Sequence, residues 1–239
     1  MATNIGGSMQ ANPGIFSLDT STQQASLGSS LEVSDGRRFR YCKAGGTALV
    51  VGDLQQAPAE NTGFQNLGIT ATAAGAYSVN VTPGATTATA NLFADGLLII
   101  SVTPGLGYAY AVSAHGAVSS STAFDVTISD AIQVALTTSS KADLVMNPYK
   151  GVIINPTTAS SSPVGSAVTA ITASQFGWIQ VGGQAALLAD GTVTVGTGVV
   201  ASNATAGAVE ALTGVQAPVG TAITGIATGE VGAILLALH

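Results

Sequence analysis

From Arg38 onward the hydrophobic pattern has a period of two, and this restricts most of the chain to β-strands. In Tyr77-Ser78-Val79-Asn80-Val81, in Phe124-Asp125-Val126-Thr127-Ile128 and in Thr192-Val193-Thr194-Val195, apolar and small polar residues alternate. Successive side chains of a strand point to opposite faces, so this alternation turns one face toward a core. Turn signals separate the runs: Pro83-Gly84, Pro104-Gly105, Asp95-Gly96, Asp190-Gly191 and Gly182-Gly183. Pro presets φ at the second position of a type II turn and Gly accepts positive φ at the third. Short β-rich runs punctuated in this way predict an all-β protein made of β-sandwich or barrel units with turn-rich connections. Each of the 30 glycines would cost about 1 kcal/mol in a helix interior. Short helical candidates remain at Thr87 to Phe93 and at Asp130 to Leu136.

Residues 1–40 read as an extended N-terminal arm. They are rich in Gly, Ser, Gln, Asn and Thr, and Ile15, Phe16, Leu18, Leu27, Leu31 and Val33 are too scattered to define a helix face. Such an arm is either disordered or ordered by lying across a neighbouring subunit. Residues 41–150 then form a β domain and 151–239 a C-terminal barrel-like domain, with Asn147-Pro148-Tyr149-Lys150-Gly151 between them. In the alternative arrangement Lys43 to Leu67 pairs with the C-terminal strands, and residues 69–145 form an inserted module.

Only 8% of residues are charged, against about 25% in ordinary soluble domains, so uncharged polar residues must cover most of the surface. The net charge of -6 argues against a general nucleic-acid binder. Mean hydropathy is positive at +0.47, yet the apolar residues come in short runs, such as 97–100 and 234–238. None approaches the 18 or more needed to span a bilayer. No membrane partner is expected. The first residues lack the charged and apolar regions of a secretory signal, so no export is expected either. Cys42 is the single cysteine, which excludes an intrachain disulfide.

The inventory for catalysis is poor. With His115 and His239 as the only histidines, no histidine-rich metal site can be built. His115 is expected in a loop. No Gly-x-Ser-x-Gly nucleophile elbow is present. Asp35, Asp95, Asp130 and Asp190 lie beside Gly or at strand ends, where Asp makes Asx-turns. Gly196-Thr197-Gly198 imitates a dinucleotide fingerprint but lies within an alternating strand and opens no helix. Cys42 reads as a half-buried strand cysteine, and Trp178 as part of a packed strand. These observations predict a protein that is not an enzyme and holds no metal or cofactor.

One local concentration of charge stands out: Arg37, Arg38, Arg40 and Lys43 are four of the six cations in the chain. As a plain strand, this segment places Phe39 and Tyr41 on one face and Arg38 and Arg40 on the other.

The C-terminal run FGWIQVGGQAALLADGTVTVGTGVVASNATAGAVE, followed by VGTAITGIATGEVGAILLAL, resembles the closing domain of capsid decoration (cement) proteins of tailed bacteriophages. The shared features are an aromatic-Gly-Trp strand, a Gly-Gly turn, an Ala/Leu strand leading to Asp-Gly, a Gly-x-Val-Val strand, and a last Gly-Glu hairpin ending in a Leu-rich strand. YCKAGGTALVVGDLQQAP at 41–58 is similar to the first strands of such proteins, and VALTTSSKADLVMNPYKGVIINPTTA to their connecting region. The resemblance covers over half the chain. It implies an all-β subunit, assembled as a homotrimer on the outer capsid surface, with the major capsid protein and its own copies as partners. Arg37, Arg38, Arg40 and Lys43 would then contact carboxylates of the shell or of a neighbouring copy, a task suited to bidentate Arg. The alternative class is a head-fibre or tail-spike type receptor- or glycan-binding module, marked by exposed Trp or Tyr.

Overall fold

The computed structural model describes residues 9–10, 14–16 and 21–238. The rest of the expected arm, at residues 1–8, 11–13 and 17–20, lies outside the described residues. The chain forms two compact units: Met1–Ala59 with Pro148–His239, and Glu60–Asn147. The protein is all-β. Strands β1 (Met9–Gln10), β2 (Ser30–Glu32), β3 (Arg38–Ala44) and β4 (Leu54–Gln56) belong to the first unit. The second unit holds β5 (Leu67–Ile69), β6 (Ser78–Thr82), β7 (Leu97–Val102), β8 (Ala109–His115), β9 (Phe124–Ile128) and β10 (Lys141–Val145). The first unit resumes with β11 (Lys150–Ile154), β12 (Pro163–Ala167), β13 (Phe176–Leu188), β14 (Gly198–Ala201), β15 (Val209–Ala211), β16 (Gly220–Ala222) and β17 (Val231–Ala237).

The contiguous division into 41–150 and 151–239 does not hold, because residues up to 59 belong with those from 148 onward and the inserted arrangement is the one found. Its expected boundaries shift in two places. Strand β3 begins inside the expected arm of residues 1–40, because Phe39 is core. The second unit starts ahead of residue 69, because Phe64 and Leu67 are buried in its core.

The 60–147 unit is a closed barrel in the order β10-β5-β6-β9-β8-β7. Its alternating strands turn Val79, Val81, Leu98, Ile100, Val112 and Val126 inward, and closure leaves no free sheet edge. Neither helical candidate forms a helix. Around Phe93 the chain makes turns, with Asn91 at φ 59° and Asp95 at φ 67°, a left-handed conformation that ends any helix. Residues 130–136 cross one end of the barrel, where Ile132 and Leu136 are drawn into its core and Leu136 bridges Thr72. Burial of those two side chains outweighs the weak helical propensity of the segment.

In the first unit the strand order is β1-β2-β3-β11-β4-β12-β13-β17-β16-β14-β15, and β3 pairs a second time with β13. That pairing closes β3, β11, β4, β12 and β13 into a ring around Cys42, Leu49, Val152, Val164, Ile171 and Ile179. A bridge from Ala189 to Val209 returns the far end of β13 to β15. A second ring thus encloses Leu54, Leu187, Val193, Val199, Ile234 and Leu236.

One 13-residue strand, β13, serves both rings. Its first half pairs with β3 and its second half with β17. The Gly182-Gly183 pair sits at the change of partner, inside the strand, and is not the turn expected from its composition. Gly183 has φ +82°, and a Cβ on Gly182 would stand 2.7 Å from the Arg38 Nε. Two residues without side chains let the strand bulge where another backbone approaches closely. The Gln180 carboxamide spans the bulge, donating to the carbonyls of Gly182 (3.0 Å) and Gln184 (2.9 Å).

Near the second ring, the alternation at 192–195 leaves only a single bridge, Val193 to Ile226. Gly191 and Gly196, at φ +80° and +81°, confine it between turns, so Val195-Gly196 is a turn, closed by the Thr197 N–H on the Thr194 carbonyl, that leads into β14.

Candidate interaction surface

The basic cluster does not form one patch, because β3 deals its side chains to two faces. Arg37 precedes the strand, and its Nε meets the Asp35 Oδ2 at 2.8 Å in an exposed ion pair, the one among the described residues. Asp35 also accepts from the Arg37 backbone N–H, and this bond is the main cause holding its carboxyl below the usual range. Arg40 is half-buried and donates to the Gly28 carbonyl at 2.9 Å. It lies beside Tyr149, whose hydroxyl is raised by burial against the lowering pull of the guanidinium. Lys43 points to the opposite face, with its Nζ 5.4 Å from the centroid of Phe176, within cation–π range. Arg38 is exposed and lies over Gly182. Arg40 and Lys43 are therefore engaged within the fold, and Arg38 is the cation of the cluster most open to a partner.

On the face of β3 that carries Lys43, Phe39 and Tyr41 pack with Ile15, Leu31, Phe176 and Trp178. The rings of Tyr41 and Trp178 lie 5.2 Å apart, edge to face. Trp178 is thus a packed strand residue. The N-terminal segment is tied to this cluster through Ile15, and Thr169 Oγ1 donates to the Phe16 carbonyl at 3.2 Å.

His115 is not in a loop: it ends β8, buried. Its Nε2 accepts from the Phe93 N–H at 3.0 Å, and its Nδ1 lies 2.6 Å from the Gly116 carbonyl. Nε2 thus serves the turn at Phe93, whose backbone groups the barrel buries, while Nδ1 is engaged by the backbone of the next residue.

Among the described residues no three His, Cys, Asp or Glu side chains converge as metal ligands do. Among the same residues no helix is long and apolar enough to cross a membrane.

Cys42 is fully buried, more so than its half-buried reading, and burial pushes its thiol up to about 12 from 9.0. Between about pH 9 and 12 the unfolded chain ionises this thiol while the folded chain keeps its proton. Its stabilising contribution is full below about pH 9 and declines by up to about 1.4 kcal/mol per pH unit above it. The urea midpoint of the protein is expected to fall more steeply from about pH 8 to about pH 10.5 than that of Cys42→Ala. Parallel declines would assign the alkaline loss to other groups.

Sequence reasoning missed an uncharged surface of the first unit. The outward positions of β13, β17 and β16 are Gln184, Ala186 and Leu188, then Val231, Ala233 and Leu235, then Thr221, and none is charged. Beside them runs a groove of about 460 Å³ with Gly52, Ala167, Ala186 and Ala233 along its floor. Phe16, Val51 and Val231 stand at its rim, exposed by 57, 53 and 55%. The available signal was the unbroken apolar run 234–238, since a strand apolar on both faces is one covered on both faces.

On the 60–147 barrel, Tyr77, Val102 and Tyr108 are exposed. They continue the inward rows of β6, β7 and β8 past Val79, Ile100 and Tyr110, at the end opposite the two chain connections.

No family model, no curated protein and no solved structure matches the chain.

Proposed function

We propose that this chain is a structural virion protein of the decoration type, which binds the outer surface of a phage capsid as a trimer and bridges major capsid protein subunits. The observation that carries the reading is the pairing of a very low charge density with a broad uncharged sheet face. A surface short of charge loses little on desolvation and is suited to being covered by protein. The segment that resembles the closing domain of decoration proteins, residues 176–238, supplies that face. Contacts repeated around a trimer gain from effective concentration, so no single residue need bind strongly.

The test is co-sedimentation of the purified protein with undecorated capsids. The protein is expected in the capsid pellet, and protein left in the supernatant overturns the reading. Recovery on a glycan array in place of the pellet would favour the receptor-binding alternative, for which Tyr77 and Tyr108 are the candidate contacts. The role of the basic cluster is tested at Arg38, since Arg40 holds the Gly28 carbonyl and its loss would perturb the fold. Arg38→Glu is expected to reduce capsid affinity about tenfold, equivalent to about 1.4 kcal/mol, with the melting profile unchanged. Unaltered occupancy would remove the role of this residue.

A further inference from the structure

We infer that the uncharged face of β13, β17 and β16, with the groove beside it, is where a second copy of this chain docks, and that Phe16 of one copy is covered by the other. This rests on the part of the proposed reading in which copies associate, and is independent of capsid binding.

Three observations carry it. The first is charge. At a net charge of -6 two copies repel, and identical surfaces that meet bring like charges together unless the meeting face has none. The outward positions of the three strands carry none, and the one cation lining the groove, Arg37, is already paired with Asp35.

The second is shape. The groove is lined largely by small residues, Gly52, Ala167, Ala185, Ala186, Gly232 and Ala233. Phe16 stands at the rim, with its neighbour Ile15 buried and its carbonyl held by Thr169. An aromatic knob and a small-residue hollow on the same subunit let the knob of one copy enter the hollow of the next, reciprocally in a two-fold pair or head to tail around a trimer. An aromatic side chain in an apolar hollow is also the usual anchor of an interface.

The third is continuity. Val51, Val231 and Leu235 are each more than half exposed on this one face. Large apolar side chains gathered in that way mark an interaction surface.

The experiment is sedimentation velocity over a dilution series. The wild-type protein is expected to assemble and to dissociate on dilution. Val231→Glu and Leu235→Lys are each expected to raise the dissociation midpoint at least about 100-fold, which is about 2.7 kcal/mol, with unchanged circular dichroism and melting. Both side chains point out of the core, so folding is preserved, and Phe16→Ala is expected to weaken assembly in the same direction. Val215→Glu, at a fully exposed site, is expected to behave as wild type. A wild-type monomer at every concentration, or full assembly of Val231→Glu, overturns the inference. So does a Val231→Glu protein that assembles normally but no longer pellets with capsids, because the shell would then own this face. A wild-type protein that assembles through this face and ignores capsids supports the inference while removing the proposed function.

Discussion

Phe64→Ala is expected to cost about 3–5 kcal/mol and to destabilise the 60–147 barrel strongly while the stability of the first unit is unchanged. Phe64 closes a short 3-10 turn, Thr62–Phe64, ahead of β5, and is completely buried. Its ring lies 4.6 Å from Phe93 and 6.4 Å from Phe124, so truncation removes three-way aromatic packing and leaves a cavity that a closed barrel cannot collapse around. At roughly 0.05–0.15 kcal/mol per residue, a unit of this size has only about 4–13 kcal/mol in total. Calorimetry is expected to show one transition moved sharply down in temperature and another left in place. A single transition that shifts as a whole would mean that the two units unfold together.

Tyr41→Ala is expected to have a similar cost, about 3–5 kcal/mol, but in the first unit and with a wider consequence. Tyr41 stacks on Phe176 at 6.0 Å and meets Trp178 edge-on, and its hydroxyl accepts from the Gln24 N–H at 2.9 Å. The same cluster buries Ile15 and Leu31. Losing the ring therefore loosens the seam between β3 and β13 and also the hold on the segment that carries Phe16. Limited proteolysis near residues 14–30 is expected to accelerate in this variant before the protein melts. Tyr41→Phe, which keeps the ring, is expected to lose only about 1 kcal/mol with the hydrogen bond. Equal losses in the two variants would show that the hydroxyl, and not the packing, holds the segment.

Much of the architecture was legible because side-chain alternation is a local property. Residues 77–81 and 124–128 needed only their own pattern to read as strands, and they correspond to β6 (Ser78–Thr82) and β9 (Phe124–Ile128). The same local rule misread Gly182-Gly183, since two glycines that end a strand and two glycines that let it bulge look alike until the approaching Arg38 is seen. It also misplaced His115, whose distant bonding partner at Phe93 is supplied by a turn that no periodicity announces. For the candidate surface, the four cations were visible as a run, but their division between two faces of β3 and their partners at Gly28, Asp35 and Phe176 were not. The groove was invisible for the same reason: Phe16, Val51 and Val231 are far apart in sequence.

By itself the order of residues settled the all-β class, the strand content and the scarcity of charge, because backbone alternation, glycine at turns and ionisable groups act within a few positions of the chain. Only the tertiary structure decided that 60–147 is set into the other unit, that β13 is shared by two rings, and that the basic run is split while an uncharged face is assembled. Those outcomes depend on which distant strands pair. Pairing is chosen by the burial of whole faces together, a sum over the folded molecule that no short stretch of sequence contains.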